Sequence, residues 1–342
     1  MPCYHPIHAW KTPSGGITLK IEKGIPDTFL ELPCRKCIGC RLDIARQWAI
    51  RCVHESQMHR ENCFLTLTYN PDHLPNGGTL VKKDLQLFLK RLRDLLFRQN
   101  EKKPIRFRYY AVGEYGAKGD RPHYHLLIFG FNFPDRRLFY QDGASALYTS
   151  TILQNLWPFG YVTIGDLNFD TACYCARYVQ KKYIGDNPDD HYQGRIPEFA
   201  IMSKQNGGIG INWFRKYQND LYNHDHCVMD SRFISRPPAF YDRELKKIDP
   251  EKFALLQEKR RQKAKDNPDN TPERRAVLKE IQRKKQEEKK RGLESPMQNR
   301  VMSAIKTNKP KILEIKTATK IQWVGGAKPP ASPERSETGR RK

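Results

Sequence analysis

The chain has 342 residues, enough for one main domain with extensions, and its formal net charge is +23. This charge favours a polyanionic partner such as DNA, RNA or an anionic membrane surface. The sequence has no apolar run long enough to cross a bilayer, and its first residues lack the apolar region of a signal peptide, so we expect an intracellular protein. Nine cysteines in a reducing compartment are typical of thiols or metal ligands rather than disulfides.

Residues 1–45 are punctuated by Pro and Gly and are predicted to be irregular. Within them, Cys34, Cys37 and Cys40 form two Cys-x-x-Cys steps that share the middle cysteine, and Cys3 is available as a fourth ligand. Four thiolates favour a closed, tetrahedral structural zinc site. Free thiols are one alternative. A redox pair is another, although the βαβ pattern that usually surrounds such a pair is absent. An iron–sulfur cluster is a third, although the full ferredoxin motif is absent.

Two helices and a strand are predicted next. Apolar residues recur at helical spacing over residues 41–60, among several arginines. A strand follows over residues 63–69, which are rich in β-branched and aromatic side chains. The second helix, over residues 82–99, has a leucine-rich stripe, and its outward face carries Lys90 and Arg93. These two are candidates for DNA contact, and a solvated helix face explains them equally well.

A β-hairpin with two histidines is predicted over residues 105–115 and 122–130. His123 and His125 are two apart on a strand and therefore share a face. Glu114 and His123 are equally distant from the centre of the turn, so a symmetric register pairs them with their side chains on one face. Two imidazoles and a carboxylate could hold a divalent metal with open positions. Ordinary polar side chains at a strand entrance are the simpler alternative.

The segment after the hairpin is predicted to form short elements of alternating type. They are a loop over residues 132–142, a helix over 144–156, strands at 161–165 and 199–203, and a helix over 211–222.

A second functional element is the helix predicted over residues 171–182. Tyr174 and Tyr178 are four apart and share a face. Lys181 falls on that face and Lys182 lies near its edge. Beside a metal, a deprotonated tyrosine could attack a phosphorus atom and become covalently linked, and a second tyrosine would allow a second event. Alternatively, the tyrosines bridge core and solvent.

His224 and His226 form a second His-x-His pattern, but their neighbours are polar and no apolar strand follows, so a loop is predicted there. After it the chain is highly charged and helix-prone, then rich in Pro, Ser, Thr and Lys. The expected regions are a Cys-rich N-terminal region with a basic helix over 1–60, the main domain over 61–222, a charged helical region over 223–294 and a disordered basic tail over 295–342.

The ordered motifs over about residues 1–220 resemble the replication initiators of small single-stranded DNA phages, within the HUH superfamily of endonucleases. The cysteine stretch and the Met-Pro-Cys-Tyr-His start resemble the gokushovirus branch of the Microviridae. Cys175 departs from relatives, which commonly have a β-branched apolar residue there. The motifs that carry the resemblance are Phe64–Tyr69, Gly-Glu-Tyr-Gly at 113–116, Arg-Pro-His-Tyr-His at 121–125, and Tyr174, Tyr178, Lys181 and Lys182.

This resemblance implies an α+β fold of the ferredoxin or RRM type, with a central antiparallel β-sheet flanked by helices. It implies Mg²⁺ or Mn²⁺ at Glu114, His123 and His125. It further implies rolling-circle replication in the host bacterial cytoplasm, in which the protein nicks single-stranded origin DNA. The nick leaves a 5′-phosphotyrosine and a 3′-hydroxyl that primes host polymerase, and a helicase is an expected partner. Arg121 begins the motif at 121–125 and Arg177 directly precedes Tyr178, and both are further candidates for DNA contact.

Two other functions fit the same residues. A plasmid or transposon strand transferase of the same superfamily would share every site residue and differ in substrate. A non-enzymatic basic protein that binds or packages DNA would use the charge alone, with structural histidines and tyrosines.

Overall fold

The structure is a computed structural model that describes residues 3–99, 101–102, 104–116, 119–143, 145–177, 182, 187–229 and 233–292. Within them the fold is α+β, with a seven-stranded antiparallel sheet flanked by helices, as predicted. The strands are β1 (Ile7–Lys11), β2 (Ile17–Thr18), β3 (Phe29–Leu32), β4 (Asn62–Tyr69), β5 (Arg108–Tyr115), β6 (Pro122–Phe129), β7 (Arg137–Asp142), β8 (Ser145–Thr149), β9 (Gly160–Gly165), β10 (Phe199–Met202), β11 (Cys227–Met229) and β12 (Phe233–Ser235).

The helices cover the sheet and continue past it. They are α1 (Ile38–Ser56), α2 (Lys82–Gln99), α3 (Thr151–Leu156), α4 (Phe169–Ala176), α5 (Pro188–Tyr192), α6 (Ile211–His224), α7 (Ala239–Ile248), α8 (Pro250–Lys265) and α9 (Pro272–Gly292). No helix of the described residues is both long and apolar enough to cross a membrane.

The large sheet has the strand order β10-β5-β6-β4-β9-β8-β7, so β4 is its middle strand. On one side β4 pairs with β6, and on the other with β9. Strands β4, β5 and β6 are almost wholly buried, because helices cover both faces of the sheet at this point. Side chains of alternate residues therefore enter two different cores.

Two cores lie on opposite faces of the sheet. On one face, Leu65 and Leu67 of β4 pack with Phe88 and other apolar residues of α2. On the opposite face, Leu127 and Phe129 of β6 pack with alanines and cysteines of α1 and α4. The small residues of α1 and α4 allow these helices to lie close to each other and to the sheet. The face covered by α1 and α4 is also the face of both histidines.

A third core joins α1 to the C-terminal helices. Ile50 of α1 packs with Phe214 of α6, Tyr241 of α7 and Leu256 of α8. A small sheet in the order β2-β1-β3 precedes α1. The predicted irregular structure of residues 1–45 is therefore wrong in part, because Ile7–Lys11 and Phe29–Leu32 pair over four residues. Their short length and exposed apolar side chains hide the alternation that identifies strands.

The segment after the hairpin also differs from its prediction. Arg137–Asp142, predicted as loop, is strand β7, and Ser145–Thr149, predicted as helix, is strand β8. The helix starts only at Thr151, because the Ser150 hydroxyl accepts the backbone N–H of Leu153 and caps it. These outer strands gain their stability from pairing with each other and β9, which no local pattern reports.

Candidate active site

The hairpin of β5 and β6 places three polar side chains on one face. Its register pairs Glu114 with His123 and Val112 with His125, which confirms the register predicted from the symmetry of the turn. Glu114 and His125 are buried, with 1% and 4% of their surface exposed. A carboxylate so deeply buried is stable only with partners for its charge.

Donor atoms of the three side chains converge on one point. Oε1 of Glu114 lies 3.1 Å from Nε2 of His123 and 3.4 Å from Nε2 of His125. One ligand atom from each residue lies within 4.8 Å of the other two. Two imidazole nitrogens and one carboxylate oxygen form a donor set suited to a divalent cation with open coordination positions.

The opposite ring nitrogens are held by the surrounding chain. Nδ1 of His123 lies 3.0 Å from the carbonyl oxygen of Arg121, and Nδ1 of His125 lies 3.1 Å from the Thr66 hydroxyl. Since a carbonyl only accepts, Nδ1 of His123 carries a hydrogen, and Nε2 is the ring nitrogen that faces Glu114. At 3.1 Å, Nε2 of His123 and Oε1 of Glu114 are close enough to share either a proton or a bound cation. The donor set therefore fits a metal ion.

Tyr174 of α4 completes the cluster. Its hydroxyl donates to Oε1 of Glu114 at 3.3 Å, and its ring meets the His125 ring edge-on with centroids 4.8 Å apart. Helix α4 starts at a capping box, in which the Asn168 side chain accepts the Thr171 N–H and the Thr171 hydroxyl accepts the Asn168 N–H. Asn168 is therefore the N-cap of α4, and it fixes the start of the helix that carries Tyr174.

Two residues of β4 belong to the site, although the sequence analysis used the motif Phe64–Tyr69 only for the resemblance and did not predict a role for either residue. The Phe64 ring stacks on His125 at 5.4 Å and 13°, and it meets Tyr174 edge-on. Thr66 orients His125 through its hydroxyl. The available signal was the alternation of β4, where threonines at 66 and 68 share a face within an otherwise apolar strand.

Comparison with known proteins identifies the family. A family model described as replication-associated protein ORF2/G2P matches residues 62–183. The chain is 38% identical to replication-associated protein VP4 of Bdellovibrio phage phiMH2K over 271 residues, 78% of this chain and 84% of that protein. The chain belongs to the phage replication-associated protein family. This confirms the resemblance found from the sequence motifs.

Two further members of the family match over shorter stretches. Replication-associated protein ORF2 of Spiroplasma virus 4 is 34% identical over 246 residues, 68% of this chain and 74% of that protein. Replication-associated protein ORF4 of Chlamydia phage 1 is 32% identical over 218 residues, 62% of this chain and 53% of that protein. No solved structure matches the chain. The stretch matched by the family model runs from β4 beyond α4 and contains every residue of the cluster.

The remaining residues predicted on the tyrosine helix are only partly described. Tyr178 and Lys181 lie outside the described residues. Lys182 has an exposed side chain, and its carbonyl oxygen accepts a hydrogen bond from Arg41 at 2.9 Å. Arg177 follows α4, and its guanidinium lies 5.9 Å from the centroid of the Tyr174 ring, so it is adjacent to the cluster.

Of the other residues predicted to contact DNA, Arg121 borders the cluster through its carbonyl, whereas Lys90 and Arg93 lie apart from it. The Arg121 guanidinium donates to the Tyr69 carbonyl at 2.8 Å, which joins the end of β4 to the hairpin turn. Lys90 and Arg93 lie on α2, which packs on the sheet face opposite the histidines. The structure does not bring these two residues to the site, and their contact with DNA stays a prediction.

The second His-x-His pattern is not part of a comparable site. His224 ends α6, and Nδ1 of His226 lies 2.8 Å from the His224 carbonyl oxygen. Among the residues with described positions, no third Cys, Asp, Glu or His side chain converges with this pair. The four N-terminal cysteines do converge. Burial raises the pKa of Cys37, but hydrogen bonds from the backbone N–H groups of Cys40 and Tyr4 and from the Cys34 and Cys40 side chains outweigh burial and lower this pKa to about 7.

Proposed function

We propose that this protein initiates replication of a phage genome by nicking and rejoining single-stranded DNA through a covalent tyrosine intermediate. The observation that carries the proposal is the position of the Tyr174 hydroxyl, 3.3 Å from the Glu114 oxygen that lies beside both imidazoles. A tyrosine placed against an imidazole and carboxylate donor set is suited to attack on a phosphodiester. Family membership supports a role in replication.

Glu114, His123 and His125 would hold Mg²⁺ or Mn²⁺. A bound divalent cation supplies electrostatic stabilisation of the negative charge that develops on a phosphate oxygen. Thr66 and the Arg121 carbonyl keep the two Nε2 atoms aimed at the centre of the site. Phe64 stacks on His125 and limits its rotation.

In the cleavage step the phenolic oxygen of Tyr174 attacks the phosphorus atom. The new bond joins this oxygen to phosphorus, and the bond between phosphorus and the 3′ oxygen breaks. The phenol loses one proton and the leaving 3′ oxygen gains one, so the step is balanced. The products are a 5′-phosphotyrosine and a strand with a free 3′-hydroxyl. Lys181 or Lys182 stabilises phosphate charge or assists the leaving oxygen.

Strand transfer explains the tyrosines better than hydrolysis does. The phosphotyrosine keeps the energy of the broken bond, so a 3′-hydroxyl can later attack it and close the strand. Tyr178, one turn after Tyr174 in the sequence, would cut the DNA after one round of copying. Hydrolysis of the phosphodiester by water would require neither Tyr174 nor Tyr178. Host polymerase would extend the 3′-hydroxyl in the bacterial cytoplasm, and a host helicase would open the duplex.

Single-stranded origin DNA is the proposed substrate. The net charge of +23 favours a polyanion and predicts binding that weakens as salt concentration rises. Arg177 is the described basic residue next to Tyr174 and would contact the phosphate that Tyr174 attacks.

The test is formation of a covalent adduct. Full-length protein is incubated with Mn²⁺ or Mg²⁺ and single-stranded oligonucleotides that tile the phage origin, and adducts are resolved on a denaturing gel. We expect one origin sequence to yield an adduct, with none from the Tyr174→Phe/Tyr178→Phe double variant. Tyr217→Phe is the matched control, because it removes the hydroxyl of an exposed tyrosine on α6 that is not part of the cluster.

The outcomes distinguish the candidate functions. An adduct that survives in the double variant would show that another residue is the nucleophile. Tight binding of origin DNA without any adduct, across all oligonucleotides and both metals, would instead favour a DNA-binding or packaging protein. An adduct with plasmid or transposon sequences but with none from the phage origin would favour the related strand transferases.

A further inference from the structure

The second cluster of metal-binding side chains lies at the start of α1. Sγ atoms of Cys3, Cys34, Cys37 and Cys40 all lie within 4.8 Å of one another, and none of the four is in a disulfide. The Sγ atoms of Cys3 and Cys37 are 3.9 Å apart. Four sulfurs bound tetrahedrally at about 2.3 Å from one zinc ion lie about 3.8 Å from each other. The Cys3–Cys37 distance matches this value, and the remaining sulfur pairs lie no further apart than 4.8 Å.

Strand pairing brings these cysteines together from distant parts of the chain. Strands β1 and β3 pair antiparallel with Ile7 opposite Leu32, so Cys3 before β1 and Cys34 after β3 emerge at the same end of the small sheet. The chain then turns directly into α1, whose N-cap is Cys37 and whose first turn contains Cys40. Cys37 and Cys40 are thus placed by α1, and Cys3 and Cys34 lie within four residues of the paired strands.

Backbone hydrogen bonds point at the sulfur atoms. The N–H of Cys34 donates to Sγ of Cys3 at 3.3 Å, and the N–H of Cys37 donates to Sγ of Cys34 at 3.3 Å. The N–H of Tyr4 donates to Sγ of Cys37 at 3.4 Å. Such donors stabilise thiolate more than thiol, because the sulfur anion is the stronger acceptor. The positive end of α1 favours negative charge at the same place.

We propose that Cys3, Cys34, Cys37 and Cys40 bind one structural zinc ion as four thiolates. Neutral thiols are weak hydrogen-bonding groups and gain little from meeting at one point, whereas zinc binds four thiolates in a closed tetrahedral site. The four thiols release their protons when the ion binds. Because the protein supplies all four ligands, no position is open for a substrate.

The zinc ion would fix the small sheet to the start of α1. Through Arg41 of α1 it would also support the position of Lys182, which follows Tyr174 and Tyr178 in the sequence. Arg41 directly follows Cys40, and its guanidinium holds the Lys182 carbonyl at 2.9 Å. On its other side the small sheet meets α9, where Arg275 forms an ion pair with Glu31. The site is distinct from the cluster at Glu114 and does not depend on the proposed function.

The test measures metal content and ligand type in the full-length protein purified with added zinc. We expect about one zinc per chain by elemental analysis, since each complete Cys₄ set binds one ion. After replacement with Co²⁺, the intense near-ultraviolet absorption of thiolate-to-cobalt charge transfer should appear. Cys34→Ser/Cys37→Ser should lose the ion and the absorption. Cys173→Ser, which removes a half-buried thiol of α4, should retain both.

A further variant separates this site from the cluster at Glu114. His123→Ala/His125→Ala should retain the zinc and the cobalt absorption. If the cysteine variant does not fold, stepwise mercurial modification of wild-type protein serves instead, and zinc should be released as four thiols react. The proposal is overturned if folded wild-type protein takes up no zinc, if it carries iron instead, or if the cysteine variant retains zinc at the wild-type level.

Discussion

The hydroxyl of Tyr174 donates a hydrogen bond to Oε1 of Glu114 at 3.3 Å, across 60 positions of sequence. This contact joins helix α4 to the hairpin that holds both histidines. It places a potential nucleophile next to a potential metal ligand.

Replacing Tyr174 with Phe removes the oxygen and leaves the ring. We expect adduct formation with origin DNA to fall by about 10³-fold or more, because loss of a nucleophile removes the covalent step. Stability should change little, since one hydrogen bond contributes about 1 kcal/mol. Mass spectrometry of the wild-type adduct should locate the nucleotide on the peptide that contains Tyr174. A nucleotide on a peptide lacking residues 174 and 178 would contradict the assignment.

Replacing Glu114 with Gln tests the metal site without DNA. Mn²⁺ should raise the melting temperature of the wild-type protein, because a ligand that binds only the folded state at 100 times its Kd adds about 2.7 kcal/mol of stability. Glu114→Gln should remove that increase, since the amide keeps the shape and loses the charge. Glu101→Gln, at an exposed position, is the control and should respond as the wild type does. An unchanged Mn²⁺ response in Glu114→Gln would remove this carboxylate from the ligand set.

Thr66 contributes to the site through its hydrogen bond with His125. In Thr66→Val the hydroxyl that holds Nδ1 is lost while the volume is nearly kept. We expect Mn²⁺ affinity, measured by calorimetry, to fall about 10- to 100-fold, the usual effect of losing a partner that orients a ligand. Thr163→Val makes the same change directly opposite on β9 and should bind Mn²⁺ normally. Equal losses in both variants would indicate a general effect of packing.

The buried His54 of α1 predicts how stability depends on pH. Its ring stacks on Trp213 with centroids 3.5 Å apart, and Nδ1 lies 3.0 Å from the Tyr241 hydroxyl. Burial lowers the pKa of His54 to about 3, below its usual value of 6.5. The unfolded chain therefore binds a proton that the folded chain does not between these two values. Stability contributed by the neutral ring is full above pH 6.5 and is lost as the pH falls toward 3.

The measurement compares denaturant unfolding of wild type and His54→Phe at several pH values. As the pH falls from 6.5 toward 3, the free energy of unfolding of the wild type should decrease by about 1.4 kcal/mol more per pH unit than that of the variant. This is the value expected for uptake of one proton on unfolding. The comparison of slopes remains valid even if the variant is less stable overall. Parallel curves would mean that His54 is accessible to protons in the folded protein.

Several parts of the site were predictable because they depend on neighbours in sequence. The pairing of Glu114 with His123 follows from the symmetry of one turn, and the face shared by His123 and His125 follows from the geometry of a strand. The leucine stripe of α2 is likewise a local pattern. Each of these features is determined within about 20 residues, where periodicity and turn chemistry operate.

Long-range pairing and packing determined the rest, and short sequence patterns do not encode them. Phe64 and Thr66 reach His125 only because β4 lies between β6 and β9. Lys90 faces away from the site because α2 covers the opposite side of the sheet. Strands β7 and β8 exist through their partners, against a local preference for loop and helix. The sequence by itself therefore determined which residues could perform the chemistry, whereas the order of strands and the choice of sheet face decided which of them meet.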